Sequence, residues 1–358
     1  MGPPFIRVVA LVFVAAACSD DGGGDADART DAVTVDAATD ATTDGPPTHP
    51  ELPETLPSPL PSGNVVLKVA TFNNGLVQLV KAGPQRIAPI QAALTALDAD
   101  VLCLQELYTQ YTGPAAYAAA LAATYPYAWY DTTTVNPLGN GLAILSKKPL
   151  YRGRYLHYLM NDSNNVVDRA VIAATVVDTT GNFYSHVLCT HIQAGLDGPG
   201  TARRQAQLAE LGGFVTAHGY DGAGQHAILL GDFNTGPDPA PTDTECSDDI
   251  NCSPMCLAAD NASYGSMTAT YGWTDRAPIL FPTDCTSCRS QFVQMATLNL
   301  FPCEPSQRID HCFTRNLAPA RVSAMTRELD DPVSIVGAGG TAMYLSDHYA
   351  VRCEITVE

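Results

Sequence analysis

The chain has 358 residues, 46% of them hydrophobic, and a net charge of −18. Its length suits one large domain or two ordinary ones, and its composition is that of a globular protein. The acidic balance excludes a general polyanion binder that depends on a broad basic face.

The first element is a leader. Arg7 supplies a positive start, Val8 to Val14 an apolar run, and Ala15-Ala16-Ala17 small residues before Cys18, the pattern of a secretion signal over 1–17. The run is shorter than the roughly 20 residues that span a bilayer. Ala-Ala-Ala-Cys resembles a bacterial lipobox, which implies lipidation of Cys18. It departs from the commonest form, which has Leu three residues before the Cys, and plain secretion is the alternative. Ser19 favours outer-membrane sorting under the commonest rule. The expected location is therefore the bacterial cell envelope, as a surface lipoprotein, or else the exterior.

Residues 19–60 carry ten acidic groups against Arg29 alone, half of the whole net charge. Such a stretch cannot bury enough apolar surface to offset its ordering entropy, and 18–60 reads as a disordered spacer, stiffened from Pro46 to Pro61. A folded domain is expected over 61–358, with a Cys-rich insertion near 243–303.

Val65–Phe72 reads as a buried strand. Ile87, Ile90, Leu94 and Leu97 recur at helical spacing, and Val101–Leu104 is again a strand. Further strands are expected at Gly141–Leu145, Ala170–Val177, Tyr184–Cys189, His226–Leu230, Ile309–Phe313 and Tyr349–Val357. A helix is expected from Thr201 to Val215, with Leu208, Leu211 and Val215 on its apolar face. This succession predicts a mixed α/β sandwich. Setting Cys18 aside leaves ten of the 11 cysteines, an even number that suits disulfides in an exported chain. Cys246, Cys252, Cys256, Cys285, Cys288 and Cys303 cluster. Cys285-x-x-Cys288 reads as disulfide rather than zinc site, whereas Cys103 and Cys189 lie in apolar runs and read as buried thiols. Cys312 and Cys353 fall in late strands.

Polar residues stop several of these strands: Asn73, Glu106, His191, then Asp232 and Asn234, then Asp310 and the Asp347-His348 pair. Each alone has a bland reading, since Asn and Asp commonly end strands. Together, on neighbouring strands, they would converge at one sheet edge. Carboxylates and amide oxygens suit a hard divalent cation, which neutralises phosphate charge, and a His beside a carboxylate moves protons near neutral pH. Neither a nucleophile elbow nor a P-loop is present.

Thr71-Phe72-Asn73, Leu104-Gln105-Glu106, Gly231-Asp232-Phe233-Asn234, Arg308-Ile309-Asp310-His311 and Ser346-Asp347-His348 occur in the order of the endonuclease/exonuclease/phosphatase superfamily, which the chain resembles over residues 65–357. The resemblance implies a four-layer sandwich of two packed mixed β-sheets flanked by helices. It implies Mg²⁺, or else Mn²⁺ or Ca²⁺, with Glu106 as principal ligand, Asn73 nearby and Asp347 assisting. Asp232 and Asn234 would orient water and phosphate. His348 would be the catalytic imidazole, oriented by Asp310. The aromatic residue usual after that aspartate is here His311. Thr190-His191-Ile192-Gln193-Ala194, Gly139–Ser146 and the Arg204-x-x-Gln207-Leu208 stretch resemble the neutral sphingomyelinase-like branch, in which His191 would contact the phosphate.

The expected substrate is a phospholipid, with sphingomyelin the specific candidate, and the expected state a monomer held to a membrane by its N-terminal lipid. A secreted nuclease is the alternative. It needs a local basic path, for which Lys147, Lys148, Arg152 and Arg154 are candidates if they do not simply form a solvated loop. A catalytically idle binding lipoprotein is the third reading. Asp168-Arg169 could bring a guanidinium to phosphate or form a strand-edge ion pair. Tyr264, Tyr271 and Trp273 could face lipid or pack beneath the Cys-rich loop.

Overall fold

The longest apolar runs become the central strands. In a computed structural model, 50–58, 64–133, 136–160, 167–178, 183–195, 198–237, 261–280, 285–288, 291, 294–295, 306–335 and 342–357 are described. They all belong to one compact unit, Pro47–Glu358. The leader, Cys18, the spacer up to residue 49, and Cys246, Cys252, Cys256 and Cys303 lie outside them. No described helix is long and apolar enough to cross a membrane.

One six-stranded sheet runs β11 (Val322–Glu328), β14 (Ala350–Val357), β1 (Val65–Asn73), β2 (Val101–Gln105), β4 (Ala143–Ser146), β3 (Tyr127–Trp129). The other runs β5 (Leu150–His157), β6 (Ala170–Asp178), β7 (Phe183–His191), β8 (Ala227–Asp232), β10 (Asp310–Arg315), β9 (Thr274–Asp275). A small ribbon pairs β12 (Val333–Ser334) with β13 (Ala342–Met343). Each large sheet holds one parallel pair at its centre, β1–β2 and β7–β8. Both members of a parallel pair end at the same sheet edge, so each sheet delivers two adjacent chain exits there.

Three apolar layers separate four structural ones. Between the sheets lie Leu67, Val69, Val101, Ile144, Ile172, Val187, Ile228, Leu230 and Val351. On the outer side of the first sheet, Ile90 and Leu94 of α1 (Gly83–Ala96) and Tyr117 and Leu121 of α2 (Pro114–Leu121) cover Phe72, Leu102 and Leu104. On the outer side of the second, Leu208, Leu211 and Val215 of α3 (Gly198–Ala217) cover Val171, Leu188, Leu229 and Phe313. Strands covered on both faces lose the polar alternation of a one-faced sheet, which is why β1, β2, β6, β7 and β8 read as continuous apolar runs. The expected sandwich is the observed architecture.

Cys103 and Cys189 are not thiols. They form a disulfide, Cα–Cα 5.3 Å, that joins β2 of one sheet to β7 of the other. The sequence reading missed it because pairing depends on how the two sheets stack, which neither strand encodes alone. Cys285 and Cys288 are disulfide-bonded to each other, a disulfide as expected in a pairing that the sequence did not give, while Cys312 and Cys353 are buried thiols.

The described end of the predicted spacer lies against the domain. Arg152 donates from its backbone N to Pro53 O at 3.0 Å and from Nε to Glu54 O at 3.0 Å. Arg154 grips the Glu54 carboxylate at 2.7 and 2.6 Å. Part of the Cys-rich insertion is described as α4 (Asn261–Ala269), β9 and α5 (Ala277–Leu280). Trp273 is buried beneath it, and Tyr264 bonds Asp275 Oδ2 at 2.8 Å, so these aromatics pack and do not face solvent as a surface.

Candidate active site

Strand register assembles the site. In the first sheet Asn73 pairs with Gln105 in parallel, so Asn73 and Glu106 leave side by side. In the second, His191 pairs with Asp232 in parallel, and Asp310 pairs with Asp232 across the antiparallel β8–β10 ladder. β6 sets Ala170 against His191, which brings in Asp168 and Arg169 just before it. Asp347 and His348 arrive on the loop before β14. Asn73, Glu106, His191, Asp232, Asn234, Asp310, Asp347 and His348, expected at one edge, all stand at that edge.

The contacts are short. His348 Nδ1 donates to Asp310 Oδ2 at 2.8 Å, and its Nε2 lies 3.9 Å from Asp232 Oδ2. Asn73 Nδ2 donates to Asp232 Oδ2 at 3.0 Å, joining the two sheets' contributions. His191 Nε2 lies 3.3 Å from the same oxygen and accepts from Arg169 Nη1. Asn234 adopts a left-handed φ of 49° and donates from its backbone N to Asp232 Oδ1 at 2.9 Å. Its amide nitrogen is committed to Ile192 O at 3.0 Å. Arg169 therefore reaches the site through His191.

Two buried arginines hold the site's loops: sequence reasoning missed Arg86, and it noted Arg204 within a motif without assigning it a role. Arg86 donates to Asn74 O at 2.9 Å and Lys81 O at 2.8 Å, with further short bonds to Gly75 O and Leu345 O. It thus ties the loop after Asn73 to the loop before Asp347. Arg204 donates to Gln193 O at 3.1 Å and to Gly195 O, fixing the loop after His191. A signal existed for Arg86: it stands four and eight residues before Ile90 and Leu94, on the helix face that enters the core. His311 lies inward of the site, stacked on Phe313, with Nε2 bonded to Thr235 O at 2.8 Å.

Charge explains the protonation states. Burial, then the Asp347 carboxylate, pushes Glu106 up to about 7, against Arg169 and His348. Burial opposes ionisation of Asp232, but His348 above all, with the Asn234 backbone N–H, outweighs it and holds the carboxyl below its ordinary range. Burial likewise works against the His348 imidazolium, and Asp310 and Asp232 overcome it, raising His348 well above its usual value. Burial raises Asp310. Burial and the Arg169 guanidinium lower His191 to about 4, leaving it neutral.

These residues fit a hard divalent cation. Glu106, Asp347, Asn73 and Asp232 offer oxygen donors, and the upward push on Glu106 marks carboxylates short of positive charge. His191 Nδ1 is buried with no hydrogen-bond partner among the described residues. Asp232, Asp310 and His348 also offer ligand atoms within 4.8 Å of one another. Asp310 Oδ2 is already spent on His348, however, which leaves the oxygen donors around Glu106 as the ones that could hold a cation.

The candidate basic path is not at this edge. Lys148 pairs with Asp178 at 2.5 Å, Lys147 with Asp98 at 3.9 Å, and Arg154 with Glu54. Ser146, just before the lysines, pairs with Val101, where β2 begins, so they sit at the opposite end of the sandwich.

The family model described as "Endonuclease/Exonuclease/phosphatase family" matches residues 80–348. Solved structures with the same fold include an endonuclease/exonuclease/phosphatase from Beutenbergia cavernae, at 20% identity and TM-score 0.57, covering 82% of this chain and 72% of that one. Sphingomyelinase C from Streptomyces griseocarneus aligns at 21% identity and TM-score 0.56, covering 81% and 99%. A beta toxin variant from Staphylococcus aureus with bound magnesium ions aligns at 15% and 0.56, covering 81% and 100%. No curated protein matches the chain.

Proposed function

The chain belongs to the endonuclease/exonuclease/phosphatase family, and from that premise we propose that it is a sphingomyelinase-like phospholipid phosphodiesterase that releases a phosphorylated head group. The observation that carries hydrolysis is the His348–Asp310 pair facing Asp232 beside the electron-rich Glu106. A bound Mg²⁺, held by Glu106 with Asn73 and Asp347, would supply charge neutralisation at the phosphate. Asp232, kept ionised, and Asn234, locked by its turn, orient the attacking water. Asp310 fixes the ring of His348, whose Nε2 passes a proton between water and the departing alkoxide oxygen. Neutral His191 and the adjacent Arg169 bind the phosphate oxygens. A lipid substrate is favoured over nucleic acid because the described lysines that might have tracked a polyanion are paired with acids and face away from the site. The leader over 1–17, the lipidated Cys18 and the envelope location complete the reading on sequence grounds, and they would put the enzyme where phospholipid is abundant.

The test pairs two tubes of the full chain with Mg²⁺, one with sphingomyelin vesicles and one with supercoiled plasmid, and His348→Ala as blank for both. Phosphocholine release that disappears in the blank is the expected result. Plasmid nicking without lipid turnover would transfer the protein to the secreted nucleases.

A further inference from the structure

The strand that carries Asp310 and the loop that carries His348 are held by one residue that belongs to neither. Thr286 is fully buried, and its Oγ1 accepts from the backbone N of Ile309 and of Asp310, both at 3.0 Å. Its carbonyl accepts from Tyr349 N, the residue after His348, at 2.8 Å. One side chain therefore fixes where the Asp310 backbone lies, and one backbone group of the same residue fixes where the His348 loop ends. The 2.8 Å bond between His348 Nδ1 and Asp310 Oδ2 spans the two.

Thr286 itself is fastened. It stands inside the four-residue ring closed by Cys285 and Cys288. Thr286 N donates to Gln307 O at 2.9 Å, and Ser287 and Gln307 exchange backbone bonds at 3.0 and 2.8 Å. Cys285 O accepts from Arg327 Nη1 at 3.4 Å, and the same guanidinium lies 4.7 Å over the Tyr349 ring. The turn therefore grips both chain segments it braces.

We propose that Thr286 is a positioning residue for the Asp310–His348 pair, and that the Cys285–Cys288 disulfide holds it in place, so that cutting this bond loosens the pair. This rests on the phosphodiesterase reading for its consequence in turnover, though not for its geometry. Opening the bond takes a thiol reductant: a thiolate attacks one sulfur, a second thiol completes the exchange, and the protein gains two thiols while the reductant becomes a disulfide. Cys103 and Cys189 are fully buried, whereas Cys285 is partly exposed, so a mild reductant reaches the small ring first.

The experiment compares the Mg²⁺-loaded full chain with Thr286→Val and Thr286→Ser. One readout is the downfield imidazole proton of His348 bonded to Asp310, assigned by its loss in His348→Ala; the other is hydrolysis of bis(p-nitrophenyl) phosphate, a diester without a lipid. Valine keeps the shape of threonine and leaves Ile309 N and Asp310 N without an acceptor. The expected result is a displaced or lost resonance and kcat lower by about 10²-fold with KM within about twofold, both recovered in the serine variant. An unchanged resonance in a folded valine variant overturns the proposal, whatever the turnover. A wild type that shows the resonance yet cleaves no diester counts against the phosphodiesterase reading alone. Should valine prevent folding, the Cys285→Ser/Cys288→Ser variant keeps Thr286 and removes the ring. There a displaced resonance supports the role of the disulfide, and a native one overturns it.

Discussion

Gly231 is the residue whose replacement the fold should tolerate least. It precedes Asp232 in β8 and pairs with Thr190 beside the His191–Asp232 pair. Its φ of 152° is disfavoured for other residues, and a Cβ there would stand 2.1 Å from Thr190 O and 2.9 Å from Thr190 C. An ordinary carbon–oxygen contact is more than 1 Å longer, so Gly231→Ala must push β8 from β7 by roughly 1 Å. The strain in φ adds about 1–3 kcal/mol, and the overpacking a similar amount. Together these are about 2–6 kcal/mol, and at about 2–4 °C per kcal/mol for a domain near this size Tm should fall by about 4–24 °C. A displacement of about 1 Å between His191 and Asp232 should lower kcat by about 10²-fold. Differential scanning calorimetry and diester hydrolysis on the Mg²⁺-loaded protein read both. An alanine variant with wild-type Tm and kcat would mean that the β7–β8 approach is looser than described and that the site's register is not set there.

Replacing Cys103 and Cys189 with serine removes a link across a sequence separation of 86; chain entropy makes this worth about 4–5 kcal/mol, measurable as a lower denaturation midpoint that wild type matches only after full reduction. Glu106→Gln should weaken Mg²⁺ binding and turnover together, whereas His348→Ala should leave Mg²⁺ titration heats nearly unchanged and cut turnover by about 10²–10⁴; equal loss of metal affinity in both would mean that the roles are misassigned. With Glu106 raised to about 7, the folded apo protein holds a proton that the unfolded chain releases near its ordinary 4.5. Apo stability should therefore fall as pH rises from about 4.5 to 7, while apparent Mg²⁺ affinity climbs over the same window and levels above it. A flat calorimetric affinity from pH 5 to 8 would contradict the raised carboxyl.

Much of this site was legible because its residues sit where buried strands stop. Val65–Phe72 and Ala227–Gly231 announce themselves as strands by being apolar on both faces, and Asn73 and Asp232 follow. The edge strand β5 was missed: Tyr151 and Arg154, partly buried, and Arg152, exposed, break its pattern. Helix α2, mostly alanine, has no apolar periodicity to read. Arg86, Arg204 and Thr286 stayed hidden in their roles for a different reason, although Arg204 stood in a motif. They act on backbone carbonyls and amides of distant loops, and no spacing in the sequence signals such a partner. Arg169 was visible but ambiguous, and only the β6–β7 register decides that it meets His191.

The cystine between β2 and β7 also governs how the molecule can fail under load. Asn73 and Glu106 come from one sheet, and His191, Asp232 and Asp310 from the other. Sliding one sheet over its neighbour by a single residue, about 3.3 Å, would break no ladder bond within either sheet, yet would separate the two halves of the cleft. Apolar side chains resist such shear only weakly because their attraction has no direction. A covalent rivet two residues from His191 and three from Glu106 in sequence blocks that sliding mode. Under mechanical or hydrostatic stress, an enzyme so pinned should lose strands at its rims before it loses the alignment of its cleft.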